Sequence, residues 1–527
     1  MKEHWGTGVA SGAATITFFT ILAKILGFAQ TLIIANRFGA GMAVDAFAVA
    51  FSSIVFTLIV IPRDLLQPFL PLFTEHKTRE GETAAWRFAS SAGTWIALLI
   101  GAAAGLGMIH AEKLIRLASN FESEETLLLT ATLTRIMLPA AFFMALFWLA
   151  TLIMHAYKRF GPPAAAEVIN KIVIIASIVL LHTVLGIRGL AVGVVLGALA
   201  TLLFPVVGFG KTIRLFKPSL DWKSPVMKKM ARLVLPILIG TLIAQSRVIL
   251  NNWFASGMGE GMPASLLFAK RLSDTIVLLV PFAIGTAIYP FFSEMTARRQ
   301  LTDAGNALAQ VLRLMAVLFV PLSVGLGILR VPFVQILFHH GLFTMDNVHD
   351  TAAPLLFYTA GLTILAWEIM LMRFYFSAKD TLTPITIGLG CMALHVAMVA
   401  MLRNRFGHVS IPMAEALSKG VKVALLLVLI GKITPFPRIR ENLLFMVKLF
   451  VAATAMGAVV YGLAAWSGVL DGITESVGII ARIRELGLPL ALCAATGSLV
   501  YAALIWALRI PEARIALDFA VKRISHR

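Results

Sequence analysis

The stretch NRFGAGM at residues 36–42 returns in nearly the same form as NWFASGM at residues 252–258. Each copy closes an apolar run of helical length, and the two copies lie 216 positions apart. Two further matches follow in the same order, PLFTEHKTRE (71–80) with PFFSEMTARR (290–299) and, more loosely, HAYKRFGPP (155–163) with FYFSAKDTLTP (374–384). The shared order and nearly constant spacing indicate an internal duplication.

The composition around this duplication is that of a polytopic membrane protein. Of 527 residues, 59% are hydrophobic and only 14% are charged, and the mean hydropathy is +0.88. Apolar runs of about 20 residues, enough to cross the hydrocarbon core of a bilayer, recur along the chain. We predict an all-α polytopic membrane protein of about fourteen transmembrane helices, at 9–36, 43–73, 84–109, 126–155, 163–184, 187–210, 227–256, 262–296, 304–329, 350–377, 381–402, 409–431, 442–467 and 486–509.

The net charge of +18 is spread over the connections between spans. This distribution suits anionic lipids of the inner leaflet, so no nucleic-acid partner is expected. The connection at 211–232 carries seven basic residues, which places it, both termini and the basic tail in the cytoplasm by the positive-inside rule. No Walker A or G-x-S-x-G motif occurs and no long extramembrane segment is predicted, so we expect no enzyme, cofactor or metal site.

The duplication predicts the domain organisation. The repeat offset covers six predicted spans, an even number, so the two copies share one orientation in the membrane. We predict two parallel six-helix halves at 1–215 and 216–435, followed by two additional helices and a basic tail at 436–527. Two similar bundles of this kind favour alternating access, and hence a transporter.

Charged residues inside predicted spans are the candidate site residues, because each charge at the centre of a span is unfavourable by about 2.5–3.5 kcal/mol. Glu167 with Lys171, and Glu415 with Lys419, are spaced i,i+4 and can neutralise each other. Lys422 is expected to extend to the membrane interface.

Other intramembrane charges have no such local explanation. Arg63 and Asp64 point about 100° apart on a helix, so we expect each to find a partner elsewhere. Asp274 can pair partly with Arg271 at i,i+3. Lys24 and Arg271 have no acidic residue three or four positions before them, and one lies in each repeat. Facing a shared cavity, they would bind an anionic substrate, and arginine is the better phosphate ligand.

A family resemblance rests on LAKILGFAQTLIIANRFGAGMAVDAFAVAF (22–51), FAKRL (268–272), GTAIYPFFSE (285–294) and LFHHGLFT (337–344). These stretches strongly resemble the MurJ (MviN) proteins, the lipid II flippases of the multidrug/oligosaccharidyl-lipid/polysaccharide exporter superfamily. The resemblance implies a bacterial cytoplasmic membrane protein that moves undecaprenyl-pyrophosphate-linked peptidoglycan precursor to the outer leaflet. Its implied partners are this polyprenyl-linked glycan, membrane lipids and the cell-wall synthesis machinery.

The resemblance also implies a basic central cavity. Arg271 matches the arginine of span eight, Lys24 falls where span one has its first arginine, and Asp45 matches an aspartate after the G-A-G motif. Gln30 stands where the family has a second arginine in span one, and Arg63 and Asp64 stand where span two carries an Arg-Arg pair and then Glu. This less basic cavity leaves open a flippase for another polyprenyl-linked saccharide, such as an O-antigen, capsule or exopolysaccharide unit. A cation antiporter and a non-transporting scaffold are the remaining alternatives.

Overall fold

A computed structural model of the chain describes residues 2–277, 280–435, 439–470 and 483–512. Every regular element in these ranges is helical, as the hydropathy pattern predicts. The final segment of the predicted basic tail, 513–527, lies outside the described residues.

The described part contains eleven helices long and apolar enough to cross a membrane, or up to twelve if one bent pair forms a single span. The bent pair is Met345–Ala360 with Leu362–Ser377, which meet at an angle of 43°. The apolar stretch Leu382–Lys432 counts once, although it holds two of the predicted spans. The predicted span at 262–296 includes residues 278 and 279, which lie outside the described ranges. The count of fourteen therefore stays a prediction.

The first of two compact units covers Met1–Ala264. Its α-helices are α1 Lys2–Phe38, α2 Met42–Val49, α3 Phe56–Leu65, α4 Phe69–Arg79, α5 Glu82–Ile109, α6 Ala111–Ala118, α7 Glu124–Met137, α8 Pro139–Ala156, α9 Gly161–Leu185, α10 Ile187–Gly208 and α11 Pro225–Ser256. A π-helical segment, Ala50–Val55, joins α2 to α3, and α1 packs along α9. Predicted spans one and five are therefore neighbours.

The second compact unit covers Ser265–Arg527. Its α-helices, the first of which begins just before the unit boundary, are α12 Met262–Val277, α13 Val280–Ala297, α14 Leu301–Ile328, α15 Arg330–Phe338, α16 Met345–Ala360, α17 Leu362–Ser377, α18 Leu382–Phe406, α19 Ser410–Leu429, α20 Ile439–Trp466 and α21 Leu488–Ala507. One core, which includes Met315, Phe374 and Leu426, joins α14, α17 and α19. A second core, which includes Leu449 and Cys493, packs α20 and α21 against α14.

The end of the first copy of the opening motif contacts the segment that follows the second copy, within the first unit. The backbone N–H of Met42 donates to Glu260 Oε1 at 3.0 Å. Gly261 has φ +83°, and a Cβ placed on it would lie 2.6 Å from the carbonyl oxygen of Ala40, so only glycine fits. The predicted halves at 1–215, 216–435 and 436–527 are defined by sequence, so they stay a prediction.

Candidate substrate-binding site

A group of five charged residues on α1, α3 and α9 of the first unit forms what we term the Glu167 cluster: Lys24, Arg63, Asp64, Glu167 and Lys171. The Glu167 carboxylate interacts electrostatically with Lys171, Lys24 and Arg63. A Cβ placed on Gly27 would lie 3.8 Å from Lys171 Cε, so Lys171 crosses α1 where that helix has no side chain. Glu167 and Arg63 are exposed, and Lys24 and Lys171 are half-buried. Three cations thus surround two carboxylates, leaving an excess of positive charge.

Arg63 and Asp64 correct one prediction. They were expected to find separate partners, but Arg63 Nε lies 3.1 Å from Asp64 Oδ1. The arginine stem is long enough to bend back over the roughly 100° between adjacent helix positions. The hydroxyl of Thr241 on α11 donates to the second carboxylate oxygen, Oδ2, at 3.1 Å. Asp64 is therefore held from two sides, while the Arg63 side chain is still 46% exposed.

Gln30 lies six residues, fewer than two turns, along α1 from Lys24. Its Oε1 atom is buried and accepts no hydrogen bond from the residues that the structure describes. A buried amide oxygen without a donor is unfavourable by roughly 1–3 kcal/mol, so it is a place where a ligand N–H or O–H group, or a water molecule, would bind favourably. The role predicted for Gln30 is neither supported nor opposed by a contact.

Asp45 has a defined structural task. Its Oδ2 accepts the backbone N–H of Gly261 at 2.6 Å, and its Oδ1 accepts the backbone N–H of Ala264 at 2.8 Å. These donors lie at the start of α12, where the first N–H groups of a helix have no intrahelical partner. Asp45 is 1% exposed. Asp45 thus caps α12 from another helix, and its predicted substrate contact stays a prediction.

Six charged residues of the second unit alternate in sign along α12, α19 and α17, and we term them the charge ladder: Asp274, Lys270, Glu415, Lys419, Glu368 and Lys422. At its more exposed end, Lys270 Nζ lies 3.7 Å from Asp274 Oδ1 and 3.5 Å from Glu415 Oε1. The Lys270 and Asp274 side chains are 41% and 37% exposed, whereas that of Glu415 is only 6% exposed. The ladder therefore runs from an accessible edge into the helix packing.

The buried end of the charge ladder is paired more closely. Lys419 Nζ lies 3.0 Å from Glu415 Oε1, which confirms the predicted i,i+4 pair, and 3.8 Å from Glu368 Oε2. Lys422 Nζ lies 2.7 Å from Glu368 Oε1. The expectation that Lys422 extends to the membrane interface is wrong, because its side chain is 14% exposed and directed at Glu368 on the neighbouring helix.

Arg271 lies beside the ladder without joining it. Its side chain is exposed, and within the described residues it forms no ion pair. Asp274, the partner expected at i,i+3, forms its ion pair with Lys270 at i,i+4 instead. Arg271 and Lys24 are thus both cations whose charge is not neutralised by a direct ion pair in the part of the chain that the structure describes. Their predicted role as anion ligands stays a prediction.

The described residues contain no group of three or more His, Cys, Asp or Glu side chains placed to hold a metal ion. The candidate residues Lys24 and Arg271 are cations, which are suitable ligands for a phosphate or carboxylate.

Residues 34–470 match the family model described as Lipid II flippase MurJ. The chain belongs to the MurJ family. Among curated relatives, the lipid II flippase MurJ of Burkholderia cenocepacia is 25% identical over 485 residues, which cover 90% of this chain and 94% of the relative. The probable lipid II flippase MurJ of Bdellovibrio bacteriovorus is 27% identical, covering 83% and 85% of the two chains. Membership implies a multi-span protein of the bacterial inner membrane and a transport function rather than catalysis.

Solved structures show the same fold. A lipid II flippase MurJ in an inward closed conformation matches with a TM-score of 0.74 at 22% identity, covering 93% of this chain and 99% of that one. An inward-facing multidrug resistance MATE family transporter of the MOP superfamily matches with a TM-score of 0.68 at 15% identity, covering 78% and 94%. At these identities the likeness establishes the MurJ/MATE fold alone.

The charge ladder is what sequence reasoning missed. The i,i+4 spacing of Lys270 and Asp274 was available as a signal, since it is the same spacing that predicted the pair on α19. Nothing in the sequence pairs Lys270 with Glu415, which lies 145 positions away, or Lys422 with Glu368, which lies 54 positions away. Those contacts depend on how the helices pack.

Proposed function

We propose that this chain moves lipid II, the undecaprenyl-pyrophosphate-linked peptidoglycan precursor, from the inner to the outer leaflet of the bacterial cytoplasmic membrane. The observation that carries the proposal is the family match over residues 34–470, which includes both Arg63 and Arg271. The curated relatives named above are lipid II flippases or probable lipid II flippases. This favours lipid II over another polyprenyl-linked saccharide.

In this proposal Lys24, Arg63 and Arg271 contact the pyrophosphate during the transport cycle. The support is their chemistry: Lys24 and Arg271 have no direct ion pair within the described part of the chain, and Arg63 is 46% exposed. Asp64 and Asp274 lie next to cations and would limit how tightly the phosphates bind, which favours release. Gln30 would accept a hydrogen bond from a neutral polar group of the head group through its unpartnered Oε1.

The sequence repeat supports alternating access by the two predicted halves, with both termini in the cytoplasm. The polyprenyl tail would stay in lipid beside the two additional helices, α20 and α21, and the cell-wall synthesis machinery would use the exported precursor. An inside-negative potential assists outward movement of negative charge by about 2.3 kcal/mol per charge per 100 mV. If the bound charge is incompletely neutralised, flipping should be faster at higher membrane potential. A flipping rate that does not change with the potential would contradict this coupling.

Complementation tests the proposal directly. The chain would be expressed in bacteria depleted of their own lipid II flippase, alongside Arg271→Ala and Lys24→Ala at matched membrane levels. We expect rescue by the unaltered chain and loss of rescue in both variants. The matched control is Arg135→Ala, which removes another exposed cation of a predicted span, one that donates to the carbonyl oxygen of Met108; this variant should rescue. Failure of the properly inserted unaltered chain would indicate another glycan.

A further inference from the structure

We propose that Lys270 is a second, switchable anion contact beside Arg271. In this structure its ammonium group is held by Asp274 and Glu415. When the pyrophosphate of a polyprenyl substrate binds Arg271, Lys270 exchanges Asp274 for a phosphate oxygen. The inference rests on the proposed function and adds to it a residue that neither the sequence pattern nor the family resemblance singled out as a ligand.

Lys270 lies farther from its nearest ladder carboxylate than the other two lysines of the charge ladder do. Its two ion pairs measure 3.5 and 3.7 Å, whereas the shortest pairs of Lys419 and Lys422 measure 3.0 and 2.7 Å. A charge-assisted N–H···O bond is usually 2.7–2.9 Å long. Lys270 donates a long hydrogen bond to Glu415 at 3.5 Å and lies 3.7 Å from Asp274, so a phosphate oxygen at a shorter distance can replace the Asp274 contact.

Exposure identifies the same residue. The Lys270 side chain is 41% exposed, against 19% for Lys419 and 14% for Lys422, so an incoming anion can reach only Lys270 among the three without repacking helices. The ring of Tyr358 lies 5.1 Å from the Lys270 ammonium nitrogen, a distance at which an aromatic face stabilises a cation. The ring supports the charge without occupying the donors that a phosphate needs.

The charge balance of the ladder permits the exchange. If Lys270 turns away, buried Glu415 keeps Lys419 at 3.0 Å and so does not become an uncompensated buried charge. Asp274, which is 37% exposed, can be solvated when it loses Lys270. The same exchange at Lys422 would remove the closest partner of Glu368, whose side chain is 15% exposed.

The position of Lys270 next to Arg271 supplies the geometry for a pyrophosphate. Adjacent helix positions point about 100° apart, yet the Arg63–Asp64 pair shows that a long side chain can bridge this separation. Lysine offers a flexible point charge and arginine a planar fork. Together they can contact both phosphate groups of a pyrophosphate, whereas a monophosphate offers only one phosphate group.

The test is a double-mutant cycle on binding of undecaprenyl pyrophosphate to the purified full chain in nanodiscs, with undecaprenol as the uncharged reference. Four proteins form the cycle: the unaltered chain, Lys270→Gln, Asp274→Asn and the double variant. Arg271→Gln reports on the proposed function itself. Lys422→Gln is the matched control, because it removes a ladder lysine that a bound anion cannot reach, and thermal unfolding checks that every variant is folded.

We expect Lys270→Gln to weaken binding by about tenfold, the loss of one charge-assisted hydrogen bond. Asp274→Asn should strengthen binding by about threefold by removing the competitor, and most of this gain should vanish in the Lys270→Gln background. Lys422→Gln should lower the unfolding temperature and change affinity by less than about twofold.

Two results would overturn the inference and leave the proposed function standing. One is an unchanged affinity in Lys270→Gln while Arg271→Gln loses binding. The other is an equal gain in affinity from Asp274→Asn with and without Lys270. A chain that does not distinguish undecaprenyl pyrophosphate from undecaprenol overturns the proposed function together with the inference.

Discussion

The Glu167 cluster and the charge ladder use the same kinds of residue inside the membrane and balance them differently. The cluster sets three cations against two carboxylates and includes the partly exposed Arg63–Asp64 ion pair. The ladder sets three lysines against three carboxylates joined by five ion pairs. The function of an intramembrane charge therefore depends on how completely its neighbours neutralise it: an excess of positive charge suits an anionic ligand, whereas alternating ion pairs hold helices together.

Removal of a buried ladder carboxylate should have the largest effect on stability. Glu415→Gln leaves Lys419 without its closest partner and weakens the hold on Lys270. Breaking a buried pair by removing one member is destabilising by about 3 kcal/mol. Thermal unfolding of the purified protein should show a clearly lowered midpoint. A midpoint equal to that of the unaltered chain would mean that the ladder does not stabilise the fold.

The matched change in the Glu167 cluster should have a smaller effect on stability and should strengthen anion binding. Glu167→Gln removes the carboxylate that three cations share, so their mutual repulsion should destabilise the protein by about 1 kcal/mol. The same repulsion makes an added anion more favourable, and affinity for undecaprenyl pyrophosphate should rise by about threefold. Weakened anion binding in a folded Glu167→Gln protein would show that the cluster is structural like the ladder.

Asp64→Asn should have a smaller effect still. The Arg63–Asp64 pair is partly exposed, and such pairs contribute only about 0.5 kcal/mol. Asparagine keeps an oxygen that can accept the Thr241 hydroxyl, so this contact survives. The measurement is anion affinity, which should increase by about twofold as Arg63 is released. Unchanged affinity would indicate that Arg63 does not contact the ligand.

Lys24→Arg should have the smallest effect on stability of the four substitutions. It keeps the charge and adds a planar fork that can contact two phosphate oxygens, so affinity for undecaprenyl pyrophosphate should rise by about twofold. Stability should stay within about 0.5 kcal/mol, because Lys24 is half-buried and takes no part in a direct ion pair among the described residues. A large loss of affinity would show that the space around residue 24 cannot hold a guanidinium group in contact with a phosphate.

Most of the fold and part of the candidate site could be predicted from sequence. The apolar runs predicted the helices, the resemblance predicted the family, and the i,i+4 rule predicted the Glu415–Lys419 pair, because each depends on residues close together in the chain. The same local reasoning was wrong for Lys422 and for the Arg63–Asp64 pair, where a neighbouring helix or a flexible stem decides the partner.

Composition, periodicity and motif order are properties of the chain alone, and they were enough to identify a helical membrane protein of the MurJ family. The compensation of the intramembrane charges, in contrast, depends on contacts between helices that are distant in the chain. Lys270 and Glu415 are 145 positions apart, and Asp45 caps a helix 216 positions further along the chain. Electrostatic energy depends on the distance between charges in space and not on their separation along the chain. Which charges neutralise each other is therefore set by the packing of the helices.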